Sequence, residues 1–223
     1  MTLQTRVLVT LIALTAAVGV IFALWPGLDL TVSHYFYDDG GFIGASRAAR
    51  LGRDFFRVTP FLVLAAFVIQ YFRRRDEKHG FGAWSPDKKA VIFLVASIAI
   101  GSGLIVNLGM KDHLHRPRPV QTIDFGGKDE FRPWYRFDGG CDKNCGFPSG
   151  EASSGFWMVA PAMLVPPPFE AVAVAGAFAF GVGASVLRLA FGGHYLSDVL
   201  MGGLISLIVV FAVRRLVWPR GAP

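Results

Sequence analysis

The chain has 223 residues, 53% of them hydrophobic and only 17% charged. A water-soluble domain of this size carries more charge, and the apolar residues fall in runs long enough to cross hydrocarbon, which excludes a soluble globular fold and leaves a polytopic membrane protein. The formal net charge of +6 would suggest nucleic acid in a soluble chain, but here the lysines and arginines sit between the apolar runs. Topology and an anionic ligand account for them, and no nucleic-acid partner is expected.

The first run, 7–25, follows Arg6 and stops at Pro26 and Gly27. Its basic start raises a signal peptide, but the run is long and no small-x-small cleavage site lies just beyond it, so it reads as span one with its amino end in the cytoplasm. Residues 29–57 are mixed. Within them Arg47, Arg50, Arg53 and Arg57 recur at helical spacing opposite Leu51, Phe55 and Phe56. That pattern suits an amphipathic helix in the membrane interface and, equally, a solvated loop helix. Span two covers about 58–72, with Pro60 in its first turn. The short basic loop after it, with Arg73, Arg74, Arg75, Lys78, Lys88 and Lys89, is cytoplasmic by the inside-positive bias.

Span three, 90–110, carries Lys111 to the opposite side, where the polar stretch 111–150 is expected to be extracytoplasmic. Span four, 152–165, ends at Pro166, Pro167 and Pro168. Span five, 171–187, delivers Arg188 to the outer side, and span six, 197–213, returns to Arg214, Arg215 and Arg220. The expected fold is all-α, one membrane domain over residues 1–223 with six transmembrane helices and both termini cytoplasmic. Arg116, Arg118, Lys128, Arg132, Arg136 and Lys143 lie on the outer side against the usual bias, and an anionic ligand there gives them a reason. Parity decides the topology, because Lys111 and Arg188 must share a face if their clusters are to meet. Cys141 and Cys145 in the same stretch are too sparse for a thiolate zinc site and favour a short disulfide in an oxidising compartment over two free thiols. No metal and no cofactor is expected.

Two polar clusters carry the chemistry. His194 and Asp198 stand four residues apart, on one face of a helix, so the carboxylate can take the proton of one ring nitrogen and leave the other as a lone pair. This is the arrangement of a nucleophilic or general-base histidine. Arg188 lies upstream, and Gly192 and Gly193 allow a close turn that brings its guanidinium beside the ring. Lys111 and Arg118 add positive charge, and Pro117 and Pro119 stiffen the chain around Arg118. Ser149 and Gly150 precede span four, so their backbone N–H groups are placed to bind a phosphoryl oxygen, while the serine can equally be an N-cap.

These residues resemble the signature of the type 2 phosphatidic acid phosphatase (PAP2) superfamily. Lys111 with Arg118 and Pro119 matches its first motif. Arg188, His194 and Asp198 match its third, with Leu187 in place of a serine. Pro148, Ser149, Gly150 and Glu151 match its second, except that Glu151 stands where the family has a histidine. The resemblance runs from span three to span six and implies a PAP2-like helical core and a metal-independent lipid phosphatase. His194 would be the nucleophile that forms a phosphohistidine, Asp198 its orienting partner, and Lys111, Arg118, Ser149, Gly150 and Arg188 the phosphate binders. The family's missing histidine protonates the leaving alcohol; Glu151, with a pKa raised by burial next to phosphate, is the favoured replacement, with His113 and His115 as auxiliary candidates.

The CDKNC loop leading into Ser-Gly-Glu is similar to the branch of the family acting on lipid A in Gram-negative bacteria. It implies a multi-pass protein of the inner membrane, embedded in the bilayer, with its site facing the periplasm and a membrane lipid phosphate as substrate. Phosphatidylglycerophosphate, phosphatidic acid, undecaprenyl diphosphate and sphingoid phosphates remain alternative substrates. A phosphotransferase, or a protein that only binds or transports a lipid phosphate, remains an alternative activity.

Overall fold

A computed structural model describes residues 3–76, 87–111 and 113–219. Lys78 of the basic loop and Arg220 lie outside the described residues, as do the side chains of Arg74 and Arg75. In chain order the elements are α1 (Leu3–Leu24), α2 (Gly27–His34), the strands β1 (Tyr37–Asp38) and β2 (Gly41–Phe42), α3 (Arg47–Asp76), and α4 (Lys88–Ile98). α4 runs on as a π-helix, Ala99–Met110, and after the long polar stretch come α5 (Gly150–Trp157), α6 (Val159–Ala162), α7 (Glu170–Ala190) and α8 (Leu196–Val217).

Among the described residues 5 helices are long and apolar enough to cross a membrane: α1, α3 over Arg47–Arg73, α4 with its π extension to Met110, α7 and α8. Burial ranks them. Of the most apolar window of α8, 61% is buried, against 11% for α1 and 6% for α3, so α8 is the axis of the bundle and α1 and α3 stand on its rim. Phe93 and Leu94 of α4, Trp157 of α5 and Val210 of α8 form the main core. Large apolar side chains such as Leu51, Phe61, Leu62 and Val172 remain exposed on the outer faces. Water does not tolerate such a surface, and hydrocarbon is its natural solvent.

Two expected elements differ. The amphipathic segment 47–57 and span two are one 30-residue helix, so Pro60 sits in its interior rather than in a first turn. Packed and hydrocarbon-facing helices tolerate this because neighbouring groups satisfy the carbonyl that proline leaves without a donor. Span four is not a single helix: it breaks at Met158 into α5 and α6. Pro161 has no N–H for the carbonyl of Trp157 four residues back, and its ring crowds that carbonyl. From Gly150 to Ala162 the two pieces rise only ~20 Å at ~1.5 Å per residue, short of the ~30 Å of a bilayer core.

This segment needs no lipid-facing surface, because Ala152, Ser153, Trp157 and Ala160 are fully buried. Buried hydrogen bonds tie it to α4 and its extension, Trp157 Nε1 donating to Ser97 Oγ at 2.9 Å and Ser102 Oγ meeting Ser153 Oγ at 2.8 Å. Small residues then let the helices approach, as where Gly155 faces Gly181 and Ala184 of α7.

The polar stretch after Met110 folds over one end of the bundle. Trp134 Nε1 reaches the Gly19 carbonyl of α1 at 3.1 Å, and its ring stacks on Phe147 at 5.8 Å. β1 and β2 form an antiparallel hairpin, a small exception to the all-α expectation, in register Tyr37 with Phe42. Its turn residues Asp39 and Gly40 both have positive φ, 46° and 78°, as a two-residue turn of this hand demands. The hairpin packs Tyr37 and Phe42 on Phe125 with ring centroids 5.3 and 5.2 Å away.

Candidate active site

The turn between α7 and α8 builds the centre of the site. A Cβ on Gly193 would lie 2.2 Å from Arg188 Nη2, so glycine lets the chain double back over that guanidinium without displacing it. The Gly193 amide closes the turn on the Arg188 carbonyl at 3.0 Å. His194 follows and is buried, with Nδ1 2.6 Å from the carbonyl oxygen of Gly146. A carbonyl only accepts, so Nδ1 carries the proton and Nε2, across the ring, presents the lone pair.

Asp198 was expected to make that bond. Its Oδ2 stands 3.5 Å from Nδ1, beyond good hydrogen-bond range, and accepts from the Tyr195 amide at 2.8 Å. Its Oδ1 takes Arg116 Nη1. The i, i+4 spacing does put ring and carboxylate on the same side of the helix start, but two stronger donors claim the carboxylate first.

Burial, then the positive charges of Arg188, Lys111 and Arg118, hold the His194 imidazole well below its ordinary pKa, against the opposing charge of Glu151. The ring is therefore neutral near pH 7, as a nucleophile must be. Arg188 is itself buried, and its Nε has no hydrogen-bond partner among the described residues. A buried donor of that kind calls for an acceptor, and an anion supplies one. Arg118 is fixed by donating from Nη2 and Nε to the Asn144 carbonyl, at 2.7 and 3.2 Å.

The start of α5 differs from expectation at one amide. The Ser149 amide donates to the backbone carbonyl of Asp198 at 2.9 Å and is not offered to a ligand. The Ser149 hydroxyl caps the helix, accepting from the Ala152 amide at 3.3 Å. What this turn retains for an anion is the hydroxyl proton of Ser149 and the amide of Gly150, whose missing side chain makes room for Asn107, 2.7 Å from where a Cβ would be. Glu151 was expected to have a raised pKa beside a bound phosphate, and the protein alone sets the starting point for that change. Burial does push it up, but hydrogen bonds from Arg53 and the charges of Arg188 and Arg53 outweigh burial and hold it below the ordinary carboxylate value. Arg53 Nη2 lies 2.7 Å from Oε1, Arg53 Nε 3.2 Å from both oxygens, and Arg188 Nη1 3.5 Å from Oε1.

Three residues here were not singled out as site residues from the sequence. Arg53 comes from α3, and its partner Glu151 is 98 positions away. Arg116 is fully buried, with its guanidinium 4.4 Å from the Tyr195 ring centroid and Nη2 2.7 Å from Asp29 Oδ2. Asp29, buried in α2, also accepts from the Ser197 amide at 2.8 Å. Arg116 turns inward and is buried, while Arg118, two residues on, stays partly exposed.

The auxiliary candidates sit differently. His113 is exposed, and His115 has positive φ with Nδ1 2.9 Å from the Cys141 carbonyl, so it belongs to the loop's own framework. The Cys141 and Cys145 sulfurs are at bonding distance, and both residues are buried just before Gly146.

Comparison with known proteins identifies the family. The model of the PAP2 superfamily matches residues 90–222. A lipid A 4'-phosphatase of Francisella tularensis subsp. novicida (strain U112) is 32% identical, covering 89% of this chain and 90% of its own. A lipid A 4'-phosphatase of Rhizobium leguminosarum is 34% identical over 88% of this chain and 90% of its own, and one of Rhizobium etli is 32% identical over 88% and 81%. No solved structure matches the chain. With the family match spanning α4 to α8 and every motif residue gathered at one end of that bundle, the chain belongs to the PAP2 superfamily.

Proposed function

We propose that this protein is a lipid phosphatase that removes a phosphate from lipid A or its precursor, with His194 as the nucleophile. The observation that carries the reading is a buried, neutral His194 whose Nδ1 is anchored on the Gly146 carbonyl while Lys111, Arg118 and Arg188 bear on the ring. The relatives named above, similar over nearly their whole lengths, supply the substrate.

In the first step Nε2 attacks phosphorus, the P–O bond to the sugar breaks, and the alkoxide takes a proton. In the second, water attacks the phosphohistidine, the P–N bond breaks, and inorganic phosphate leaves. Lys111, Arg118, Arg188, Ser149 and Gly150 hold the non-bridging oxygens, and Arg53 joins them. A phosphate entering among Arg53 and Arg188 takes those guanidiniums from Glu151 and sets an anion beside it. Both changes raise the carboxyl's pKa, so Glu151 becomes the acid of the first step and the base of the second.

Counting the buried α5–α6 segment with the five long helices as six crossings, this reading returns the end of α8 to the side on which α1 begins, the cytoplasmic one, with the site at the periplasmic surface of the inner membrane. The test is phosphate release by purified protein across lipid A, phosphatidylglycerophosphate, phosphatidic acid and undecaprenyl diphosphate. Release from lipid A above the others, abolished in His194→Ala, is expected. Release that survives His194→Ala would rule out the nucleophile, and release from another lipid alone would reassign the substrate.

A further inference from the structure

His194 needs a fixed ring and a low proton affinity at once, and these demands conflict. A carboxylate on Nδ1 fixes the ring but raises its pKa, which protonates the nucleophile; a backbone carbonyl fixes it without adding charge. In this structure the carbonyl has the bond, and one residue brings that about by two routes. The Arg116 carbonyl accepts the Gly146 amide at 2.7 Å, which sets the Gly146 carbonyl against His194 Nδ1. The Arg116 guanidinium meanwhile binds Asp198 Oδ1 and donates to Ser197 Oγ at 2.8 Å, and its Nε donates to the Arg132 carbonyl at 2.8 Å.

Asp29 closes the network from α2. It pairs with Arg116 Nη2, and its two oxygens accept from the amide and hydroxyl of Ser197, at 2.8 and 2.6 Å, in the first turn of α8. One guanidinium is thus shared between two buried carboxylates, only one of which faces the histidine. Asp29 also lies outside residues 90–222, where the family model matches.

We propose that Arg116, anchored by Asp29, is the positioning residue of the nucleophile: it engages Asp198 and holds the Gly146 carbonyl, so that the His194 Nδ1 proton goes to a backbone acceptor instead of a carboxylate. The inference rests on His194 as the nucleophile. The groups facing His194 are Arg188 of α7, Lys111 at the end of the π-helix, Arg118 of the outer loop, Glu151 of α5 and Asp198 of α8. Of these only Asp198 is bound directly by the proposed clamp.

Two variants separate positioning from mere support. Asp29→Asn/Arg116→Gln removes one charge of each sign and keeps polar side chains of similar size, which buried pairs tolerate better than the loss of one partner. It frees Asp198 to turn to Nδ1, so the acid limb of the pH profile of kcat/KM should move up by about one pH unit. Its kcat should fall about 10- to 100-fold, as for loss of an outer-shell support, with KM changed less than about threefold. Asp29→Asn alone leaves Arg116 whole and commits it to Asp198, so the same limb should move down. The substrate's own titration is common to all three proteins and cancels.

Opposite shifts in the two variants support the clamp. Limbs that stay put or move together, or a change in KM alone, overturn it. If the double variant is not recovered as a monodisperse protein in detergent, Asp29→Asn decides, an unmoved limb being fatal. A wild type that releases no phosphate, or a His194→Ala variant that still does, sinks the nucleophile and the clamp together, whereas unmoved limbs on an active enzyme sink the clamp alone.

Discussion

Arg53 and Arg188 hold Glu151 as a carboxylate, so its use as an acid depends on phosphate arriving to take those arginines. Glu151→Gln removes the proton donor while keeping the side chain's size. General acid catalysis is worth roughly 10²- to 10⁴-fold for a poor leaving group and little for a stable anion. We therefore expect kcat/KM to drop by that factor on a lipid phosphomonoester and far less on an aryl phosphate; an equal drop on both would make Glu151 a residue that only places arginines.

His194 supplies a second prediction at this scale. Its pKa lies below the ordinary value, so as pH falls it stays neutral where an exposed histidine is half protonated, near pH 6.5. Nitrogen NMR of histidine-labelled protein, with the His194 signal identified by its loss in His194→Gln, should show a neutral ring protonated on Nδ1 at that pH; a protonated ring would contradict it. Lys111, Arg118, Arg188, His194 and Asp198 were legible as a group because their three-part spacing matches the family signature. Asp29 and Arg53 were not, because their partners Ser197 and Glu151 are 168 and 98 positions away and no local periodicity reports such a contact.

Among the elements, the turn from α7 to α8 is tightly limited by size at Gly193. Gly193→Ala places a methyl group on the Arg188 guanidinium, and we expect it to cost about 10²-fold in kcat/KM, the effect of a misplacement near 1 Å, with little loss of thermal stability. A melting curve beside the kinetics checks this, and unchanged kinetics would show that Arg188 has room to move. The outer loop offers the converse case. Closing the short ring between Cys141 and Cys145 constrains little of the unfolded chain, so its loss should cost only about 1 to 3 kcal/mol. Activity should suffer more, because Gly146 follows directly and carries the acceptor for His194. Mass spectrometry of non-reduced protein showing two alkylatable thiols would remove the premise. The hairpin and the broken fourth span both had signals in the sequence, an Asp-Gly turn at residues 39–40 and a proline at 161. Reading runs by length and hydropathy passes over both, since neither changes the average of its window.

For the molecule as a whole, the six crossings proposed above would set Asp124, in the loop after Met110, and Arg215, at the end of α8, in opposite compartments. Single cysteines at these positions should react with a membrane-impermeant thiol reagent on intact cells at 124 and not at 215; labelling of both or of 215 alone would refute the topology. The buried pairing of Asp29 with Ser197 and Arg116 also orders events in time. Asp29 is synthesised long before either partner, and a carboxylate buried without them is costly, so α2 takes its final seat only once both Arg116 and the start of α8 are in place. The histidine and its last support then fall into place in a single late event, and a chain halted during insertion holds no partly competent enzyme. Separate expression of residues 1–86 and 87–223 should give two inactive fragments, and their co-expression an active complex that Asp29→Ala in the smaller piece prevents.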